Sequence, residues 1–327
     1  MLSGTTQRLN SRMVQSSVAR WVFVVVAMAV IALLIVQQNS VYKGYLTTVQ
    51  SQIVELTSTL NASDQKSTSR PGSLLVQKDD EPGPLKSLRQ KARGSGLAAL
   101  DLDTLSDEEL RIVAHSYPDH EQVVCDRRIR MGRLGDGGWE ICDDADVRPV
   151  KPCVIYSFGI NYDFSFDDDA SALYECQVYS FDPSMSGLGD QVNRSDRVTF
   201  YKIGLDNRTF TNPKQWSMYT YADIRKLLGH SREDICLVKM DIEGSERPAL
   251  RNMLENGELD GVRQLLMEYH LGSWSRADWL VNLRVMQLVE KAGFKTFYSH
   301  KNPACPKKIE GYPVVRTNCY EVHYLRR

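Results

Sequence analysis

From about residue 117 onward, short apolar runs alternate with longer polar stretches, and this alternation constrains the fold more than any other feature. Seven apolar runs stand out, at residues 153–158, 177–181, 198–203, 235–240, 262–267, 294–298 and 319–324. Several are apolar on both faces, as in strands covered by helices above and below. Helical spacing intervenes at 165–176, 221–229, 245–256 and 276–292. Strands and helices alternating in this way predict an α/β domain over residues 116–327, built on a doubly wound, mostly parallel seven-stranded sheet.

The N-terminal part has a different texture. Residues 21–36, WVFVVVAMAVIALLIV, carry no charge and are apolar on every face. A spanning helix needs about 20 apolar residues and a signal-peptide core about 7 to 15, so the run lies between the two. Gln37, Gln38 and Asn39 follow it without the small-x-small pattern of a cleavage site. The expectation is one transmembrane signal-anchor, with secretion as the outcome if the segment is cleaved. Arg8, Arg12 and Arg20 precede it, and only Lys43 stands close behind. The positive-inside rule then makes residues 1–20 a cytosolic tail, and a short span suits the endoplasmic reticulum or Golgi. This is a single-pass type II arrangement with a lumenal domain.

Residues 37–115 read as a largely disordered stalk rich in Ser, Thr, Gln and turn formers. Ser106 followed by Glu109 is a capping-box pattern that predicts a short helix near residues 106–115. Asn61, Asn193 and Asn207 open N-glycosylation sequons, consistent with a lumenal orientation.

Charge narrows the partners. Forty Lys and Arg against 41 Asp and Glu leave no basic field to gather nucleic acid, so none is expected. Cys125 with Cys142, and Cys305 with Cys319, are placed to close local disulfides. Cys236 lies in a core strand and reads as a buried thiol, while Cys153 and Cys176 precede strands. No C-x-x-C or H-x-x-x-H spacing occurs, and no metal site is expected.

A doubly wound sheet binds ligands beyond the carboxyl ends of its strands. The residues that follow the predicted strands are therefore the candidates. They include Gly159, Asn161 and Asp163 after the first strand, Asp182 and Pro183 after the second, Asp241 and Glu243 after the fourth, and His270 after the fifth. Asp182 follows Gly159 by 23 residues, near the spacing of about 20 at which a dinucleotide-type fold sets an acid on a ribose. A nucleoside-containing cofactor is the natural inference.

Three segments then carry a resemblance: residues 154–167 (VIYSFGINYDFSFD), 180–183 (SFDP) and 239–246 (KMDIEGSE), with RMGRLGDGGW upstream at 130–139. The chain resembles the S-adenosylmethionine-dependent methyltransferases of the FkbM-like and methyltransferase-like protein 24 type, from about residue 125 to the C-terminus. The resemblance implies a Rossmann-like fold, S-adenosylmethionine as cofactor, and a small-molecule or glycan acceptor methylated on oxygen. It implies Gly159, Asn161, Asp163, Asp182 and Pro183 around the cofactor, with Asp163 on its amino acid part. Asp241, Glu243 and His270 are the candidate catalytic residues, His270 as the base that takes a hydroxyl proton. Trp274 and Trp279 are candidates for the roof of an acceptor pocket.

Asp167, Asp168 and Asp169 support a competing reading, a Golgi glycosyltransferase holding a metal and a sugar nucleotide. Their apparent position at a helix start, with Ser165 and Asp168 spaced as a capping box, argues against it. A third reading is a domain that retains the fold without catalysis.

Overall fold

A computed structural model describes residues 87, 88, 91, 96–272, 275–308 and 315–327. The predicted N-terminal anchor and most of the predicted stalk lie outside the described residues. Among the described residues no helix is long and apolar enough to cross a membrane.

All seven predicted strands are present in one sheet, with an eighth at its edge. We label them β1 (Val154–Phe158), β2 (Gln177–Phe181), β3 (Gln191–Asn193), β4 (Val198–Tyr201), β5 (Ile235–Met240), β6 (Gln264–His270), β7 (Lys295–Lys301) and β8 (Cys319–Leu325). Their order is β7-β8-β6-β5-β1-β2-β4-β3. Strands β4, β2, β1, β5 and β6 pair in parallel, whereas β8 is antiparallel to both β6 and β7. The short β3, antiparallel to β4, was missed because three residues with one half-buried side chain carry no periodic signal.

The helices are α1 (Asp107–Ser116), α2 (Ser165–Tyr174), α3 (Tyr221–Leu228), α4 (Glu246–Glu255) and α5 (Arg276–Lys291). Local chemistry starts several of them. Ser106 and Glu109 close the expected capping box on α1, and Thr220 and Ser275 accept main-chain amides at the starts of α3 and α5. The capping box expected at Ser165 and Asp168 does not form; Asp163 instead accepts the Ser165 amide at 3.1 Å.

The pleat divides the core. Tyr156, Phe158, Val238, Met240 and Leu265 face a cluster that α1, α3, α4 and α5 cover. Ile155, Val178, Leu237 and Leu266 face the other cluster, covered by α2 and by a hairpin of Arg128–Met131 with Trp139–Cys142. Apolar strand residues on both faces are thus explained by covers on both faces.

The expected stalk boundary is corrected. Leu97, Leu100, Leu102, Leu105, Leu110 and Ala114 are all buried in the larger cluster, so the folded domain begins well before residue 116. Two 3₁₀ turns, Leu97–Ala99 and Leu102–Thr104, are too short to show periodicity, and their leucines read as isolated.

Disulfides join Cys125 to Cys142 and Cys305 to Cys319, the two pairs suggested by position, and also Cys153 to Cys176. Cys236 is a free thiol whose pKa burial pushes up to about 12.

Candidate active site

The sheet reverses its order at β1. The chain runs outward from β1 through β2 to β4, then returns to lay β5 on the other side of β1. Such a switch point leaves a crevice beyond the strand ends. A cavity of about 630 Å³ occupies it. Its lining combines the apolar side chains of Phe158, Phe181, Leu205, Trp216 and Met218 with the carboxylates of Asp136, Asp182, Asp206, Asp241, Glu243 and Glu268.

Gly159 sits at the centre of the crevice wall with φ +78°. A Cβ there would lie 1.5 Å from the Asp241 carbonyl oxygen, so the main chains of the β1 and β5 turns touch only because this residue is glycine. The Gly159 amide donates to Phe181 O at 2.9 Å and the Asp241 amide to Phe158 O at 3.1 Å. From below, the buried Lys239 ammonium donates to the carbonyls of Phe158 and Gly159. Asn161 and Tyr162 complete the turn at φ +44° and +64°, and Asn161 lines the cavity.

Asp182 is buried, and its carboxylate accepts the amides of Ile160 and Asn161 at 2.9 and 2.8 Å through one oxygen. Through the other it accepts the Ser184 amide and hydroxyl at 2.8 and 2.6 Å. A carboxylate has about four accepting positions, and all are taken. Asp182 therefore ties the β1 turn to the β2 turn, and holding a ribose would require one of these bonds to give way. Pro183 lines the cavity beside Gly204.

The role expected of Asp163 is corrected. Its oxygens serve the α2 start and the Arg133 guanidinium at 2.9 Å, and it does not line the cavity. Asp167, Asp168 and Asp169 also point apart. They meet the Ser180 hydroxyl at 2.5 Å, the Arg194 guanidinium at 2.6 Å and the Gly132 amide at 2.8 Å, and none lines the cavity. Trp279 is buried in the core rather than roofing the pocket, and Trp274 lies outside the described residues.

Across the crevice, Asp241, Glu243 and His270 do come together. His270 Nδ1 lies 2.9 Å from Glu246 Oε1, and its Nε2 lies 3.3 Å from Glu268 Oε2 and 3.5 Å from Glu243 Oε2. Burial alone would lower the imidazole pKa, but the carboxylates of Glu246, Glu268 and Glu243 raise it to about 9. The three carboxylates thus favour the imidazolium form, in which the ring donates hydrogen bonds rather than accepting a proton.

Glu246 also accepts the amides of Ile242 and Gly244, so one buried carboxylate shapes the β5 turn and orients His270. Ser245, which precedes α4, makes no side-chain capping bond.

Glu268 was not among the residues expected from sequence. It is buried, accepts from Asn302 Nδ2 at 3.0 Å and shares a hydrogen bond with Asp241. Burial first, then the Asp241 charge, raise its pKa to about 8. Its signal was present: Glu268 is two residues before His270 on one strand, hence on the same face. Asn302 and Asp136 gave no comparable signal, since the loop after β7 and the hairpin tip reach the site only through the fold.

A doubly wound sheet with its last strand inserted antiparallel, and a cavity at its switch point flanked by carboxylates and apolar side chains, defines a Rossmann-like ligand-binding domain. The chain belongs to the methyltransferase domain family, whose model matches residues 111–325.

Two curated relatives are the proteins named probable methyltransferase-like protein 24 of Rattus norvegicus and Homo sapiens. They are 27% identical over 249 residues and 26% identical over 247 residues, in each case over 68% of this chain. The matches span 66% and 65% of those proteins, just under two thirds of their length. Among solved structures, precorrin-6y C5,15-methyltransferase from Geobacter metallireducens aligns over 56% of this chain and 85% of its own. It does so at 9% identity and a TM-score of 0.29, a likeness on which nothing further rests.

Proposed function

We propose that the domain binds S-adenosylmethionine in the switch-point cavity and transfers its methyl group to an oxygen of a small-molecule or glycan acceptor. The observation that carries this reading is a switch-point cavity whose lining combines apolar side chains with carboxylates. A purine suits the former, and sulfonium and ammonium groups suit the latter.

The residues placed to hold the cofactor are the Gly159–Asn161 and Pro183–Ser184 turns, with Leu205 and Asp206 after β4. When bound, S-adenosylmethionine supplies an electrophilic methyl carried on sulfur. The chain must then position the acceptor hydroxyl and take its proton. The hydrogen-bonded carboxyls of Asp241 and Glu268 stand where that proton would go, and burial and the neighbouring Asp241 charge raise the proton affinity of Glu268. In this reading Glu246 and His270 hold that pair in place.

We further propose that residues 21–36 anchor the chain as a type II membrane protein with this domain in the lumen. Three disulfides, which form in oxidising compartments, support the placement, as do the exposed sequon residues Asn193 and Asn207.

The test is calorimetric titration of the full chain with S-adenosylmethionine and, separately, with a UDP-sugar plus manganese. Saturable binding of S-adenosylmethionine alone is expected. Binding of neither ligand points to a non-catalytic partner-binding domain, and binding of the UDP-sugar alone overturns the reading.

A further inference from the structure

A groove of about 860 Å³, distinct from the switch-point cavity, is lined by α4 and α5. Pro248, Val281 and Leu288 give it apolar surface, and Arg251, Asn252 and Lys291 supply hydrogen-bond donors. Val281 is 45% exposed there, although its helix neighbours Leu283 and Val285 are buried. Apolar side chains left exposed in a concavity, with polar groups around them, are what a ligand covers.

One residue in the groove wall identifies the occupant. Asn207 lines the groove and also opens the sequon Asn207-Arg208-Thr209. Asn207 and Thr209 are both exposed, on the segment between the short strands Gly204–Leu205 and Phe210–Thr211. We propose that Asn207 carries an N-linked glycan whose first sugars lie in the groove along α4 and α5. The proposal rests on the lumenal placement proposed above, and not on the transferase reading.

The chemistry of the wall suits an uncharged sugar better than an anion. Its arginines already have carboxylate partners: Arg247 with Asp278 at 3.5 Å, Arg251 with Glu255 at 2.7 Å and Arg284 with Asp103 at 2.7 Å. Little net charge is left to draw a phosphate, while N–H groups remain to donate to sugar oxygens. A tethered sugar binds as an intramolecular event, so contacts too weak to hold a free one suffice. Attachment joins Asn207 Nδ2 to the anomeric carbon of the first N-acetylglucosamine of a polyprenyl-diphosphate-linked oligosaccharide. The C–O bond to the diphosphate breaks, the diphosphate leaves with that electron pair, and Nδ2 gives up one proton. Asp206, one residue earlier, lines the switch-point cavity, so the glycan is rooted between the two concavities.

The experiment is expression of the full chain in a glycosylating eukaryotic cell, followed by glycopeptide mass spectrometry. Hydroxyl-radical footprinting is then run before and after enzymatic removal of N-glycans. Occupancy of Asn207 is expected. Removal should raise the labelling of Val281 and Leu288 severalfold, while Leu227 on α3, 59% exposed and outside the groove, stays unchanged. Asn207→Gln, a change at an exposed side chain, should show the raised labelling with no enzyme treatment.

An unoccupied Asn207 overturns the proposal, as does a glycan whose removal leaves Val281 and Leu288 labelled as before. Asn193, on the edge strand β3 and outside the groove, and Asn61 report on the placement separately. Glycans at either of them with Asn207 bare reject the proposal and keep the lumenal placement. All three sequons bare, with the six disulfide cysteines recovered as free thiols, reject both.

Discussion

The Asp182 carboxylate accepts the main-chain amide of Asn161 at 2.8 Å, so the turn after β2 holds the turn after β1 in shape. Two consecutive residues of that turn, Asn161 and Tyr162, have positive φ, a conformation that costs free energy in non-glycine residues unless neighbours enforce it. Asp182→Ala removes the acceptor of four hydrogen bonds. We expect a loss of about 3 kcal/mol or more in denaturant titrations together with loss of cofactor binding. A positioning role also predicts that Asp182→Asn weakens S-adenosylhomocysteine and its 2′-deoxy analogue by similar factors. Selective weakening of the hydroxylated ligand would assign Asp182 a direct ribose contact instead.

Gly159→Ala sets a methyl group against the Asp241 carbonyl at a residue with φ +78°. The β1 and β5 turns must separate to admit it. The expected result is a stability loss on the order of 3 kcal/mol and no measurable S-adenosylmethionine binding, checked by urea unfolding and calorimetry.

A chain beginning at residue 116 lacks buried Leu97, Leu100, Leu102, Leu105 and Leu110. At roughly 2 kcal/mol for each buried leucine, the loss is comparable to the whole stability of an ordinary domain. Such a chain should show no cooperative melting transition, whereas one beginning at residue 87 should melt cooperatively in the same calorimeter.

His323 is buried among Trp139, Phe297 and Tyr298, and burial pushes its pKa down to about 3. His115 is pushed down to about 4 in the same way. An unfolded histidine titrates near pH 6.5, so below that pH the unfolded chain takes up protons that the folded one refuses. This contribution is complete above about pH 6.5 and is lost as pH falls toward 3. The melting temperature should therefore drop between pH 7 and pH 5, and His323→Phe should shrink that drop.

The Cys305–Cys319 disulfide closes a loop with a sequence separation of 14 and carries Cys305 into the cavity wall. Asn302, three residues earlier, donates to Glu268 and receives the Thr317 hydroxyl on its carbonyl. Replacing both cysteines by serine should cost about 3 kcal/mol and also weaken cofactor affinity. The same change at Cys125 and Cys142, which do not line the cavity, should affect stability alone.

The local features were legible because they obey short-range rules. Seven apolar runs of strand length, four helical patterns between them, the Ser106–Glu109 cap and the glycine after β1 can each be read within a window of a dozen residues. Sequence placed Asp241, Glu243 and His270 at strand ends, and the fold gathers them. The roles of Asp163, Asp182 and His270 were not readable, because each depends on a partner from another element: Arg133 from the hairpin, Asn161 from the β1 turn and Glu246 from the start of α4.

By itself, the sequence determined the α/β class, the number and spacing of the principal strands, and the strand-end residues from which a site is built. Periodicity and capping act between neighbours along the chain. The tertiary structure decided that β8 enters between β6 and β7, that residues 97–116 belong to the core, and that Glu268, Glu246 and Asn302 complete the acidic cluster. Those outcomes rest on contacts between segments tens to nearly two hundred residues apart, where the energy of burial and of pairing charged groups depends on the whole sheet rather than on any stretch of the chain.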